Sequence, residues 1–221
     1  MANAIAIGRL TLPEIIEKQG LRLSSDPQFF TEWQVPRPDL SPQERDYLGQ
    51  VQQDYFDQLR RGTLSEGLIK LVIISPLLHL AGFYRAPYQV RLEEPVQVEL
   101  TEQNEIWRGR IDALVIQDQL WTVVVESKGS VFGIDQAIPQ ALGYMFAAPQ
   151  PERPTYGLVT NGSGYAFVKL LRHPEVLYSI SEVFLLLPGA PQEQRSPLQT
   201  ILSILKKLGQ AIDNSPSLTS S

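Results

Sequence analysis

The chain has 221 residues, 43% of them hydrophobic and 19% charged, which is ordinary for a globular protein with one sizeable core. It has no cysteine and only two histidines, which excludes disulfides and thiolate metal sites and argues against a zinc centre. The net charge of −5 argues against non-specific binding of nucleic acid by the whole surface, without excluding a local basic groove. Any metal is therefore expected to be a hard cation held by carboxylate and carbonyl oxygens.

Targeting signals are not evident in the sequence. The opening MANAIAIGRLTLPEII lacks a basic start followed by a long apolar run, so we expect no secretory signal. The longest apolar stretch, LIKLVIISPLLHLAGFY, is too short to span a bilayer and is interrupted by Lys70, Pro76 and His79. We therefore expect a cytoplasmic protein that does not associate with membranes.

Residues 1–62 are predicted to form a helical and extended segment that packs on the core. The proline-rich stretch WQVPRPDLSPQE is typical of an extended connector. Ser41, Pro42 and Glu44 match a capping box with proline at the first helical position, and predict a helix that runs to about Arg61.

A second helix is predicted from the capping-box pattern of Thr63 and Glu66, followed by apolar residues at helical spacing. Pro76 is expected to kink or interrupt this helix near Ile74, because proline removes a backbone donor and clashes with the preceding turn.

The pattern then changes to strands. YQVRLEEPVQVEL, EIWRGRIDALVI and LWTVVVESK predict three strands, a helix is expected over about residues 135–147, and TYGLVT and YAFVKL predict two strands around the turn NGSG. Residues 191–213 are predicted to contain an amphipathic C-terminal helix, and residues 214–221 a disordered tail. The order of elements predicts an α/β or α+β layered core.

Two charged residues end an otherwise apolar strand in LWTVVVESKGS. Glu126 and Lys128 share one face of this strand, because side chains alternate. Alternation on the preceding strand places Asp112, Leu114 and Ile116 on one face and Ile111, Ala113 and Val115 on the other.

The turn between these strands decides whether the charges meet. A three-residue turn centred on Gln119 places Asp112 across from Glu126, whereas a two-residue turn places Asp112 across from Val125 and on the other face. We favour the first register, because the second would leave lone carboxylates on both faces of an apolar hairpin.

Opposed carboxylates on paired strands would lie about 5 Å apart at their Cβ atoms and repel each other. A divalent cation that takes an oxygen from each would remove the conflict. Lys128 could then orient or deprotonate a water, or stabilise negative charge at phosphorus, which is the chemistry of metal-assisted phosphodiester hydrolysis.

Three further side chains are candidates for the same site. Gln140 and Tyr144 are four residues apart on the helix that follows Lys128, and therefore lie on one helix face. Glu66 opens the apolar helix before the strands, where it serves either as a cap partner of Thr63 or as a functional acid.

These motifs occur together in an order and spacing that resemble the PD-(D/E)xK nuclease superfamily. The pattern consists of Asp112, then Glu126-Ser127-Lys128, then QALGY, which resembles the Q-x-x-x-Y motif of the RecB-like branch. SEGLIKLVIISPLLHLAGFY and GLVTNGSGYAFVKL resemble the first helix and the TNG hairpin of the nuclease domain in type I restriction enzyme R subunits. The resemblance covers about half of the chain. It implies a restriction-endonuclease-like core over residues 63–190, with a central mixed β-sheet flanked by helices.

The resemblance also implies a metal site. Asp112 and Glu126 would be metal ligands, with the backbone carbonyl of Ser127 as a further ligand and Glu66 nearby as an auxiliary acid. The implied cofactor is Mg²⁺, with Mn²⁺ as a substitute.

Lys128 would be the catalytic lysine, with Gln140 and Tyr144 positioning it or a DNA phosphate. Arg110 is the first candidate for a further phosphate contact, because it shares the pleat face of Asp112; the others are Arg108, Lys169 and Arg172. The sequence departs from the family motif at one position: the residue before Asp112 is Ile111, whereas the motif has proline there.

The sequence therefore predicts a metal-dependent deoxyribonuclease, specifically a restriction-type endonuclease. No G-x-x-x-x-G-K-[ST] sequence occurs, so we expect neither an ATP motor nor a nucleotide cofactor. The expected partner is DNA, with a homodimer if both strands of a duplex are cut. The alternatives are a non-catalytic nucleic-acid-binding or assembly subunit that keeps the nuclease fold, and an interaction domain whose resemblance is accidental.

Overall fold

A computed structural model describes residues 3–35, 39–100, 103–117, 120–189 and 196–213. The predicted tail over residues 214–221 and part of the proline-rich connector lie outside the described residues. The described helices are α1 (Leu12–Gln19), α2 (Pro42–Leu59), α3 (Glu66–Ile69), α4 (Ser75–Leu80), α5 (Ala137–Met145) and α6 (Pro197–Asp213). The described strands are β1 (Asn3–Ala6), β2 (Arg22–Leu23), β3 (Tyr88–Leu100), β4 (Glu105–Gln117), β5 (Leu120–Ser127), β6 (Thr155–Thr160), β7 (Gly164–Leu171), β8 (Leu177–Ile180) and β9 (Phe184–Leu185).

The described strands form one mixed sheet in the order β1-β4-β5-β6-β7-β8-β2, with β3 on β4 and β9 on β7. β5 and β6 run parallel because α5 carries the chain back across the sheet between them, whereas β3, β4 and β5 are joined as antiparallel neighbours. This is a mixed α/β protein with a central mixed sheet flanked by helices, as the sequence predicted.

Apolar side chains of the described residues pack on both faces of the sheet, mostly in two large cores. The first core packs β5, β6 and β7 against α2, α4 and α6, and includes Leu48, Leu77, Val125 and Leu202. The second packs β4 and β7 against α1 and α5, and includes Ile15, Trp107, Leu142 and Leu170. Helices therefore cover both faces, which accounts for the near-continuous apolar sequence of the central strands.

The N-terminal segment contributes strands and a helix that the sequence reading did not predict. β1 pairs in parallel with β4 from Asn3 to Ala6, and α1 begins at a complete capping box of Thr11 and Glu14. The capping box predicted at Ser41 is confirmed, with the Glu44 N–H donating to Ser41 Oγ at 3.2 Å and the Ser41 N–H donating to Glu44 at 2.8 Å.

The capping box predicted for Thr63 and Glu66 is wrong. Ser65 caps α3 instead, accepting a hydrogen bond from the Leu68 N–H at 3.3 Å. The backbone of Leu64 is already bonded on both sides to Ser130, so the helix begins two residues later than predicted and Glu66 is not held in a cap.

The interruption expected near Ile74 is present. α3 continues into a π-helical turn over Lys70–Ile74, and α4 begins at Ser75 with Pro76 in its first turn. Proline at this position needs no backbone donor, so the wider turn before it accommodates the ring.

The β4–β5 hairpin combines both registers considered from the sequence. Close to the turn Gln117 pairs with Leu120, as in the two-residue alternative, but the register shifts by one beyond Ile116. Ala113 then pairs with Val125, which brings Asp112 level with Glu126. A β-bulge therefore restores the alignment that groups the charges.

The strict alternation predicted for β4 fails at Asp112. Ile111 packs in the second core with Leu114, whereas Ala113 packs in the first core. Glu93, which lies opposite Asp112 on β3, has a φ of 52°. This left-handed residue distorts the pairing, so Asp112 does not share a face with Leu114 as predicted.

Candidate metal centre

Three carboxylates from separate elements converge at the end of β5. Glu66, Asp112 and Glu126 each place an oxygen within 4.8 Å of the others. Asp112 and Glu126 are buried, and Glu66 is half-exposed at the start of α3. The elements of the predicted metal site therefore come together in space.

Asp112 is fixed by hydrogen bonds to one of its oxygens. Its Oδ2 accepts the Ser127 N–H and the Ser127 hydroxyl, both at 2.7 Å. Ser127 thus orients the carboxylate, and the role predicted for its backbone carbonyl as a metal ligand stays a prediction. The other oxygen, Oδ1, accepts from Lys70 Nζ at 3.0 Å.

Glu126 is an almost completely buried acid with one unsatisfied oxygen. Its Oε1 accepts from Lys128 Nζ at 2.7 Å, whereas Oε2 is buried without a hydrogen-bond partner among the residues that the structure describes. Burial, followed by the charges of Asp112 and Glu66, raises the pKa of Glu126 to about 8, although Lys128 opposes the shift. A buried carboxylate oxygen without a donor is a suitable ligand for a divalent cation.

A hydrogen-bonded chain fixes the ammonium of Lys128. Lys128 Nζ donates to Gln140 Oε1 at 2.7 Å, and Gln140 Nε2 donates to Tyr144 Oη at 2.7 Å. Tyr144 Oη also accepts from the Arg110 N–H at 3.4 Å. The polar face of α5 therefore lies over the end of β5, as its four-residue spacing suggested.

Lys128 is a charged ammonium, and one of its N–H groups can still donate a hydrogen bond to a group in the cleft. Although burial lowers its pKa, the hydrogen bond and charge of Glu126 raise it to a net value above its ordinary range. Of its three N–H groups, two are directed to Glu126 and Gln140, and Glu66 Oε1 lies 3.5 Å away.

A second cation, Lys70, was not predicted from the sequence. Its ammonium bridges Asp112 and Glu93 at 3.0 Å and 2.8 Å. The signal was present, because Lys70 follows Glu66 by four residues and would lie on the same helix face.

The carboxylate cluster fits one divalent cation. Two oxygens bound to octahedral Mg²⁺ lie about 4.2 Å apart when they are opposite and about 3 Å apart when they are adjacent, so three oxygens within 4.8 Å of one another would move closer by up to about 2 Å on binding. With every group ionised, four carboxylates and two ammonium groups leave a formal charge of −2. A divalent cation would cancel this charge and satisfy Glu126 Oε2.

Two clefts meet at this cluster. The larger, of about 630 Å³, is lined by Glu66, Lys128 and Gln140 together with Phe132. The smaller, of about 300 Å³, is lined mainly by apolar side chains and has Lys70 and Asp112 in its wall. The candidate site is therefore accessible from its surroundings even though two of its acids are buried.

The cationic residues predicted to contact DNA differ in their exposure and in their contacts within the fold. Arg110 and Arg108 are exposed on β4, and the Arg108 guanidinium donates to Gln97. Lys169 instead bonds to Glu32 at 2.6 Å, and Arg172 donates to the backbone carbonyls of Phe146 and Ala148. Lys169 and Arg172 are therefore engaged within the fold, whereas the exposed Arg110 and Arg108 remain candidates for phosphate contacts.

Gly109 allows Tyr144 to approach β4. A Cβ atom at residue 109 would lie 2.5 Å from Tyr144 Cε1 and 3.2 Å from Ile7 Cβ. We expect Gly109→Ala to displace Tyr144 and lower the free energy of unfolding by about 1–3 kcal/mol, measured by urea denaturation. The control is Gly49→Ala in α2, where no atom lies within 4 Å and no loss is expected. Equal stability of the two variants would contradict the packing described.

No family model matches the chain, and neither does any curated protein. A solved fragment assigned to an HsdR subunit of a type I restriction enzyme from Vibrio vulnificus YJ016 aligns with a TM-score of 0.39 and 17% identity. The match covers 66% of this chain and 26% of that one, so the chain spans about a quarter of the neighbour's length.

Within the described part of the chain, none of the helices is both long and apolar enough to cross a bilayer.

Proposed function

We propose that the chain is a metal-dependent deoxyribonuclease that hydrolyses DNA phosphodiester bonds, of the restriction type and without an ATP motor. The observation that carries the proposal is the convergence of Glu66, Asp112 and Glu126, with the ammonium of Lys128 bonded to Glu126. The motif resemblance to the PD-(D/E)xK superfamily supports DNA as the substrate.

Asp112 and Glu126 would hold Mg²⁺ or Mn²⁺, with Glu66 and the Ser127 carbonyl completing the protein's share of ligands. A bound divalent cation would polarise a phosphoryl oxygen and offset the charge that develops at phosphorus. Ser127 keeps Asp112 in place through two hydrogen bonds, so this acid loses little side-chain freedom when it binds.

Lys128 acts by electrostatic stabilisation. Because its pKa lies above the ordinary value, it is an ammonium at neutral pH and cannot take a proton from water. Its remaining N–H can donate to a non-bridging phosphate oxygen, while Gln140 and Tyr144 hold the side chain in that direction. Glu66, half-exposed beside Lys128, would accept a proton from the attacking water through the carboxylate oxygen that does not bind the cation.

The test is cleavage of single-stranded and double-stranded DNA in magnesium or manganese. We expect the wild-type chain to cut DNA and Asp112→Asn to lower the rate by at least about 100-fold, because the charge that holds the cation is lost. Asp57→Asn, which alters an exposed acid on α2, is the control and should cut at the wild-type rate. Failure to cut any substrate, or equal rates for Asp112→Asn and wild type, would refute the proposal.

The second candidate is a non-catalytic nucleic-acid-binding or assembly subunit. One contact favours it, because Lys70 already compensates the charge of Asp112 without a metal. Calorimetry separates the two functions: a magnesium or manganese site that disappears in Asp112→Asn favours the nuclease, and the lack of such a site favours the subunit.

A further inference from the structure

The loop that follows Lys128 presents two apolar side chains to solvent. Val131 is 68% exposed and Phe132 is 48% exposed, and both line the same cleft as Lys128 and Glu66. The exposed Phe132 ring contributes little to the free energy of folding, because much of the apolar surface of the ring remains in water.

The backbone of this loop is fixed. Ser130 exchanges hydrogen bonds with the backbone of Leu64 at 2.9 Å and 3.0 Å. Asn161 Nδ2 donates to the Phe132 carbonyl at 2.6 Å, and the Phe132 N–H donates to Gly129 at 3.0 Å. The Phe132 ring is therefore presented from a backbone tied to both the α3 entry and the β6–β7 turn.

The Phe132 ring lies close to Lys128 in the cleft. A Cβ atom added to Gly129 would lie 3.7 Å from Phe132 Cδ2, so the ring rests against the residue that follows Lys128. Phe132 and Lys128 therefore line the same cleft within a few residues of each other.

The charges of the cleft are balanced. Among its described lining residues, the charged side chains are Lys128 and Glu66. A surface that binds the backbone of duplex DNA normally has several lysines or arginines, because affinity comes mainly from neutralised phosphates. Here affinity would have to come from contacts other than charge, and stacking of a base on an aromatic ring supplies about 1–3 kcal/mol per base.

We infer that an unpaired nucleobase next to the scissile phosphate stacks on the exposed ring of Phe132, which Val131 flanks. The inference rests on the proposed nuclease function and specifies its substrate class as DNA with unpaired nucleotides at the point of cleavage. A base inside a duplex stacks on its neighbours and has no free face for the Phe132 ring. Stacking on Phe132 therefore favours the binding of single strands, frayed ends or flaps over continuous duplex.

Binding of a fluorescent oligo(dT), measured by anisotropy in calcium, tests the inference. We expect Phe132→Ala to weaken oligo(dT) binding about tenfold and to leave binding of a blunt hairpin duplex unchanged, while Phe132→Tyr retains the wild-type affinity. The control is Leu23→Ala, which removes a side chain 63% exposed on β2 and should bind as wild type. Binding to oligo(dT) should also weaken little with added salt.

The inference is overturned if Phe132→Ala binds oligo(dT) as tightly as wild type, if it loses duplex binding equally, or if wild type does not bind oligo(dT). It is also overturned if Phe132→Ala only abolishes self-association in sedimentation, which would assign the ring to a second copy of the chain. Failure of the nuclease proposal would appear differently, as Phe132-dependent binding in calcium without cleavage in magnesium.

Discussion

Replacing Lys128 with alanine is expected to lower the rate of DNA cleavage by about 100- to 1,000-fold, without preventing folding or metal binding. The ammonium faces both the buried carboxylate of Glu126 and the larger cleft, and it is held there by Glu126 and Gln140. Its loss removes a preorganised donor aimed at the charge that develops at phosphorus. Single-turnover cleavage at saturating enzyme measures this rate separately from DNA binding.

The matched control is Lys18→Ala. Lys18 is also partly buried and ion-paired, to Glu105 at 2.6 Å, but it lies on α1 outside the cluster. It should cut DNA at the wild-type rate. If Lys128→Ala cuts DNA at a rate within about twofold of wild type, Lys128 has no role in the chemical step.

Replacing Glu126 with glutamine is expected to stabilise the metal-free protein at alkaline pH while abolishing cleavage. In the unfolded chain this carboxyl loses its proton near its ordinary pKa of 4.5, whereas in the folded protein it keeps the proton up to about 8. The folded state therefore binds more protons between these values, and the stability contributed by the neutral acid is lost as pH rises toward 8. Glutamine removes this loss.

Urea denaturation in a chelator at pH 5 and pH 9 measures the effect. Relative to wild type, Glu126→Gln should gain on the order of a few kcal/mol between pH 5 and pH 9. Added magnesium should then stabilise wild type but not the variant, because only wild type keeps the ligand. Glu17→Gln, which alters an exposed acid on α1, should follow the wild-type pH dependence. A parallel pH dependence for Glu126→Gln and wild type would contradict the buried, proton-holding state of this acid.

Much of the central sheet was predictable because its strands and turns carry local signals. The strand TYGLVT was predicted with its observed bounds, Thr155–Thr160, and the helix after Ser41 was predicted from a capping box that the structure contains. The convergence of Asp112 and Glu126 followed from alternation and from an assumed register. These features depend on neighbours that are close in sequence or joined by one short turn.

The route to that convergence could not be predicted. Gln117 pairs with Leu120 in the two-residue register, and a bulge between Val115 and Ile116 then restores the pairing that brings Asp112 level with Glu126. The face of Asp112 depends on the left-handed backbone of Glu93 on a neighbouring strand. Each is a tertiary adjustment without a local sequence signature.

Long-range contacts explain the remaining differences at the site. Ser65 replaces Thr63 as the helix cap because Leu64 is bonded to Ser130, 66 residues away in sequence. Lys70 joins the cluster through Asp112 and Glu93, which the chain brings to it from two strands. The short strands β1, β2, β8 and β9 have too few residues to establish a pattern of their own.

The measurement that tests the central claim most directly is a crystal structure grown in manganese and examined by anomalous scattering. The account predicts one anomalous peak between the carboxylates of Glu66, Asp112 and Glu126, within about 2.5 Å of an oxygen from Asp112 and of Glu126 Oε2. A crystal in which these carboxylates keep their positions and manganese binds elsewhere, or nowhere, would contradict it.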